Sequence, residues 1–288
     1  MLVSNLSDVT PRPRRIAVGE FDGVHLGHRE VIRGNDTVLT FEPHPLVVVH
    51  PSVAPKLLTS LDVKVELIAE LGVEELVVVS FDEAFASESP QEFIDTVLVE
   101  RLGATHVSVG DNFRFGHGAA GDAALLAADP RFETRVVTLV TADGEVVSSS
   151  RIRALIAAGD VEAAARLLGA PFRVRGEVVG GDRRGRTLGF PTANIVPDDV
   201  LACPGHGVYA CRIGAHLAAV NVGVRPTFTT GRGLLIEAYL LDFDGDLYGQ
   251  LLTLEFHARL RGEWRFDSVE ALIEQMNRDV HRTRELLC

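Results

Sequence analysis

One short stretch near the start narrows the possible folds more than any other. Ile16–Phe21 is an apolar run with the character of a buried strand, and it passes through Asp22-Gly23 into His25-Leu26-Gly27-His28, which opens a helix. A strand that turns through glycine directly into a helix is the first half of a β-α-β unit, so a parallel sheet is expected to follow. The first N–H groups of a helix lack intrahelical partners and carry positive partial charge, which makes such a junction a seat for phosphate. Gly19, Phe21, Asp22, Gly23 and Gly27 would shape that seat. The imidazoles of His25 and His28 would donate hydrogen bonds to charge developing on the phosphate.

The rest of the first half alternates as this start requires. Thr37–Phe41, Glu75–Phe81, His106–Val109 and Arg135–Leu139 read as short buried strands rich in Val and Ile. Leu61–Leu71 and Pro90–Leu102 carry apolar residues at helical spacing, the second capped by Ser89 or Ser87 with Pro90 in its first turn. Right-handed crossovers put the phosphate seat at the C-terminal edge of its strand, where parallel sheets bind ligands. The first crossover is tight: only Asp22 to Asp36 separates two strands, near the minimum of about a dozen residues.

Ser149–Ala158 and Asp160–Leu168 read as two helices broken at Gly159, and Gly169 ends the α/β half. From Phe172 the pattern turns to alternating apolar residues and Asp-Gly turns, which suggests antiparallel hairpins closing into a barrel. A last helix starts at Asp267-Ser268-Val269-Glu270, a capping-box pattern, and should bury Val269, Leu272, Ile273, Met276 and Val280. The expected architecture is α/β plus β: a doubly wound parallel-sheet domain over 1–170, then an antiparallel barrel domain with a terminal helix over 171–288.

Composition excludes several classes. With 46% hydrophobic and 24% charged residues the 288-residue chain is neither disordered nor membrane-like, and no apolar run approaches the ~20 residues of a membrane span. The N-terminus lacks the charged-then-apolar order of a secretory signal, and Cys203, Cys211 and Cys288 form no CxxC pair, so a cytoplasmic protein without zinc or disulfides is expected. A net charge of −12 repels polyphosphates and disfavours nucleic acid, so any nucleotide site must be locally cationic. Arginine is indeed clustered, at Arg151 and Arg153 and again at Arg183, Arg184 and Arg186.

Two glycine motifs mislead. Gly116–Gly121 matches GxGxxG but follows no first strand of a β-α-β unit and has no well-placed acid after it. Gly180–Thr187 falls one residue short of a P-loop, with arginine for lysine, and the Gly189 and Pro191 that follow preclude the helix a P-loop must open.

FDGVHLGH (residues 21–28) resembles the nucleotide-binding signature of the HxGH nucleotidyltransferases, in the wording used by the prokaryotic bifunctional riboflavin kinase/FAD synthetases. The resemblance continues through TFEPHP (40–45), GDNFRFG (110–116) and VSSSRIR (147–153), the last similar to an ISSTxxR element with Ser150 in place of threonine. It implies attack of the FMN phosphate on the α-phosphorus of ATP, with His25 and His28 at the α-phosphate. Arg153, with Ser148, Ser149 and Ser150, would hold the departing pyrophosphate. His44, Asp111, Asn112, Phe113, Arg114 and Phe115 would lie near the flavin and adenine. Members of this family usually have a longer first helix.

In the second half, GDRRGRTLGFPTAN (181–194) is similar to the riboflavin kinase signature. Thr192 and Asn194, two apart on an extended segment, put neutral oxygens on one side, a donor set that suits Mg²⁺. By resemblance Gly181, Asp182, Gly185, Arg186 and Gly189 join Thr192 around ATP, Glu237 is the base for the riboflavin hydroxyl, and Arg261, Phe266 and the last helix face riboflavin. Tyr239 departs from the histidine usual in relatives.

The resemblance therefore implies an enzyme that phosphorylates riboflavin to FMN and adenylylates FMN to FAD. It would take ATP, riboflavin, FMN and FAD with Mg²⁺, need no tightly bound organic cofactor, bind neither nucleic acid nor membrane, and leave self-association open. The alternatives are a kinase with a disabled adenylyltransferase domain, or a flavin-binding regulator without catalysis.

Overall fold

The computed structural model describes residues 1–180, 190–224 and 234–288. It contains two compact units, Met1–Pro55 with Leu61–Ser149, and Lys56–Ser60 with Ser150–Cys288.

The first unit is built on six parallel strands: β1 (Leu2–Asn5), β2 (Arg14–Val18), β3 (Thr37–Glu42), β4 (Glu75–Ser80), β5 (Ala104–Gly110) and β6 (Glu133–Val137). Their order in the sheet is β1-β4-β3-β2-β5-β6. Chain order reverses between β2 and β5, and at such a switch point an open parallel sheet opens a crevice at its carboxyl edge. Helix α1 (Leu26–Ile32) follows β2, and α2 (Leu61–Ala69) buries Val63, Leu67 and Ile68 against one face. The opposite face packs on Phe93, Ile94, Val97 and Leu98.

Three expectations need correction here. The strand expected at Ile16–Phe21 is Arg14–Val18, because Phe21 turns to φ +53° and leaves the sheet. β1 was not expected: Leu2–Asn5 is a short edge strand without an apolar run, fixed only by pairing with β4. Pro90–Leu102 starts as expected, with Ser89 and Glu92 forming a reciprocal capping box, but runs on as a π-helix over Phe93–Arg101.

In the second unit α3 (Ser149–Ala158, whose first residue belongs to the first unit) and α4 (Val161–Leu168) precede a closed barrel. Its strands are β7 (Phe172–Val179), β8 (Ala193–Pro197), β9 (Gly207–Ile213), β10 (His216–Val224), β11 (Leu234–Leu240) and β12 (Leu251–Arg261), closing in the order β7-β8-β11-β10-β9-β12. Alternate residues fill the interior: Val174, Ile195, Val220, Val222, Ile236, Ala238, Leu254 and Phe256 are all buried. Asp160 caps α4 and Gly169 ends it at φ +75°, as expected. The side chain of Arg259 on β12 donates to the carbonyls of Ala158 (3.1 Å) and His206 (2.7 Å), tying the end of α3 to the barrel.

The final helix, α5 (Val269–Leu287), is capped by Ser268 rather than Asp267, and its buried stripe is polar. Gln275, Asp279 and Thr283 are buried, Val269 is exposed, and Leu272, Ile273, Met276 and Val280 are only half-buried. The cause is Arg261, whose Nη2 lies 2.8 Å from Asp279 while Gln275 donates to the same carboxylate at 2.8 Å.

Candidate functional site

The turn from β2 into α1 lies at the switch point. After Val18 the chain is held by Gly19 N–H on the Leu39 carbonyl (3.1 Å) and then passes through positive φ at Phe21 (+53°), Gly23 (+87°) and Val24 (+41°). A buried β-branched residue at positive φ persists only where its surroundings over-determine it. Here Arg29 Nε donates to the Val24 carbonyl (3.1 Å) and Ser149 Oγ to the Asp22 carbonyl (3.0 Å). His25 is the N-cap of α1: its Nδ1 accepts from the His28 backbone N–H at 3.2 Å, which leaves the imidazole proton on Nε2. The rings of His25 and His28 stack at 3.5 Å and 17°, with Phe21 edge-on to His28 at 5.4 Å. Gly27 lies close under that stack: a Cβ there would sit 3.2 Å from the His25 ring, so the ring would have to give by a few tenths of an ångström.

Beneath the turn, Lys64 Nζ donates to the Glu20 carbonyl (2.8 Å) and carboxylate (3.1 Å), and Thr40 Oγ1 also donates to that carbonyl (3.0 Å). Burial pushes the Glu20 carboxyl up to about 7 against the pull of Lys64. Neither residue is in the sequence-based set, although a lysine within the apolar face of Leu61–Ala69 is the signal that could have found the pair.

The same unit holds a cavity of about 700 Å³ lined by Phe41, Phe81, Phe85, Phe93, Phe113 and Phe115, within the range of small-molecule sites. Of the expected flavin residues Phe113, Arg114 and Phe115 line it. His44, Asp111 and Asn112 do not; His44 Nδ1 accepts from the Leu46 N–H (3.1 Å) and caps a short helix. Glu88 also lines the cavity, with its carboxyl raised by burial and one oxygen unpartnered.

Ser150 and Arg153 belong to the second unit, where Arg153 Nε donates to the Lys56 carbonyl (2.7 Å). On the barrel, Glu237 of β11 lies directly across from Asn194 of β8 and from Asn221 of β10. Cross-strand partners share a face, so the three polar side chains form one row while Ile195, Ile236 and Val222 point inward. Asn221 Nδ2 donates to the Glu237 carboxylate at 3.4 Å. Asn221 was absent from the sequence-based set; an asparagine in an apolar strand was its only signal. Thr192 and Asn194 line a polar cavity of about 530 Å³ with Asp244, Asp246 and Tyr248. Among the described residues no three His, Cys, Asp or Glu side chains converge on a metal position; the wall of this cavity carries the neutral oxygens of Thr192 and Asn194 and the carboxylates of Asp244 and Asp246. Gly181, Asp182, Gly185, Arg186 and Gly189 lie outside the described residues. Arg261 is engaged by Asp279 and lies over the rings of Trp264 (5.1 Å) and Phe266 (5.7 Å).

Comparison with known proteins matches residues 8–151 to the FAD synthetase family and 168–287 to the riboflavin kinase family. A bifunctional riboflavin kinase/FMN adenylyltransferase of Listeria monocytogenes is 41% identical over 286 residues, covering 93% of this chain and 91% of the relative. The chain belongs to the bifunctional riboflavin kinase/FMN adenylyltransferase family. Another such relative, from Escherichia coli K12, is 37% identical over 301 residues, with 98% of this chain and 96% of the relative covered. That alignment is longer than this family member's own 288 residues, so the relative carries residues with no counterpart here. A solved structure from Streptococcus pneumoniae, described as a macrolide-efflux protein, has TM-score 0.88 and 31% identity and covers 99% of both chains. Among the described residues of this family member no helix is long and apolar enough to cross a membrane.

Proposed function

We propose that this enzyme makes FMN from riboflavin and ATP at the barrel, and FAD and pyrophosphate from FMN and ATP at the parallel-sheet domain, with the division of labour at about residue 170. The reading rests most on the His25–His28 stack at the start of α1, where both rings sit beside a strained, multiply anchored turn.

For adenylyl transfer the FMN phosphate is already an anion, so no enzyme base is needed and positioning with charge neutralisation suffices. An FMN phosphate oxygen bonds to the α-phosphorus while its bond to the bridging oxygen of pyrophosphate breaks. His25 donates from Nε2 and His28 assists, stabilising charge on the α-phosphate. Ser148 and Ser149 hold the pyrophosphate, and the phenylalanine-lined cavity takes the isoalloxazine ring.

For phosphorylation the ribityl hydroxyl attacks the γ-phosphorus while the bond from that phosphorus to the β,γ-bridging oxygen breaks and ADP leaves; the hydroxyl must lose its proton, and Glu237 accepts it. Asn221 holds the Glu237 carboxylate and orients it. Thr192 and Asn194 would hold Mg²⁺ together with ATP oxygens, and the ion supplies charge neutralisation on the transferring phosphoryl group. A cytoplasmic location, where ATP is available, suits both steps.

The test is to give the protein Mg²⁺ and ATP with riboflavin in one tube and FMN in another, then to separate the flavins. FAD is expected in both. FMN without FAD would leave a kinase alone, the second reading that the short first helix favours. No product in either would leave a flavin-binding protein.

A further inference from the structure

Helix α1 presents both histidines and spans only Leu26–Ile32. A helix of two turns is unstable alone, and its last carbonyls have no partners within it. Here every one of them is taken. The Glu30 carbonyl accepts from Arg135 Nη2 (3.2 Å) and the Arg33 carbonyl from Arg135 Nη1 (2.7 Å). The carbonyls of Val31 and Ile32 accept from Asn35 Nδ2 (3.0 and 3.1 Å), and the Gly34 carbonyl accepts from Arg15 Nε (3.0 Å). The Asn35 side chain is itself oriented by Ser108 Oγ, which donates to Oδ1 at 3.3 Å. Arg135 is on β6 and Ser108 on β5, so two strands hold the end of the helix. The guanidinium at the C-terminal pole also complements the helix dipole.

The carbonyls at the end of this short crossover are thus capped by side chains from outside the helix. We propose that Asn35 and Arg135 are positioning residues for adenylyl transfer, holding the C-terminal end of α1 so that His25 and His28 keep their stack. The inference rests on the adenylyl-transfer reading above. It also explains how so short a crossover serves catalysis.

The experiment uses the full chain with Arg135→Ala, Arg135→Lys and Asn35→Ala, measuring FAD formation against FMN concentration, FMN binding by quenching of flavin fluorescence, and riboflavin phosphorylation. Because the histidines act on the α-phosphate and not on the flavin, kcat for FAD formation should fall about tenfold or more, with KM and FMN binding within about twofold. Arg135→Lys, which keeps one donor, should recover part of the loss, and riboflavin phosphorylation should be unchanged. Wild-type kcat in both alanine variants, a loss confined to KM, loss of FMN binding along with turnover, or a lysine variant no better than alanine would each overturn the proposal. A wild-type chain that makes FMN but no FAD would overturn the adenylyl-transfer reading with it. An active wild type with unaffected variants would overturn this inference alone.

Discussion

Glu237 stands between two amides on the outside of the barrel, an arrangement with little purpose in a solvated strand face. One neighbour, Asn221, donates to its carboxylate; the other, Asn194, lines the polar cavity. Glu237→Ala is expected to lower riboflavin phosphorylation by about a hundredfold or more while leaving FAD formation from supplied FMN intact, since the second reaction needs no base. Chromatographic flavin assays on the folded variant check both halves; loss of both activities would refute the assignment. Glu20 offers a test of a different kind. Its carboxyl titrates at about 7 when folded, against 4.5 as its ordinary value, so the native state holds the proton more tightly. The resulting stabilisation is complete below pH 4.5 and is lost as pH rises through 7, by at most about 3 kcal/mol. Thermal unfolding from pH 4.5 to 8 should show this decline in the wild type and a shallower one in Glu20→Gln.

At the scale of elements, legibility depended on where each partner lies in the chain. The turn from β2 into α1, α4 with its caps and a serine cap before Pro90 were legible because their determinants are a few residues apart; that the cap is Ser89, in a reciprocal box with Glu92, came from the structure. The face of α5 was misread because periodicity expects apolar residues inward, whereas the residue that fixes its rotation, Arg261, comes from β12. Asn221 and Lys64 escaped for the same reason: one gains meaning from strand register, the other from a turn on β2's far end. Asp279→Ala should therefore cost more than a surface substitution, about 3 kcal/mol or more, because it strands the Arg261 charge where both side chains are 10% exposed or less. Urea unfolding followed by circular dichroism measures this; a change below about 1 kcal/mol would show the pair to be dispensable.

For the whole molecule, the product of one reaction is the substrate of the other, and the chemical groups for each belong to separate motifs. A chain carrying Glu237→Ala and a second chain carrying His28→Ala should each fail to convert riboflavin into FAD. Mixed in one tube they should restore it, as FMN leaves the His28→Ala chain and is adenylylated by the other. Restoration at a rate that rises with total protein would show free exchange through solution, and its absence would show that FMN is handed on within a single chain. The −12 net charge makes such exchange with anionic nucleotides depend on local cationic groups, not on the overall field.

The chain has one tryptophan, and its ring lies under the Arg261 guanidinium. Indole emission overlaps flavin absorption. Riboflavin arriving on the side of the barrel that Arg261 and Phe266 occupy would therefore drain light from Trp264 without any attached dye. With riboflavin on that side, the indole beside Arg261 would serve as an optical gauge of occupancy, through which the first reaction could be timed in stopped flow on the unmodified protein.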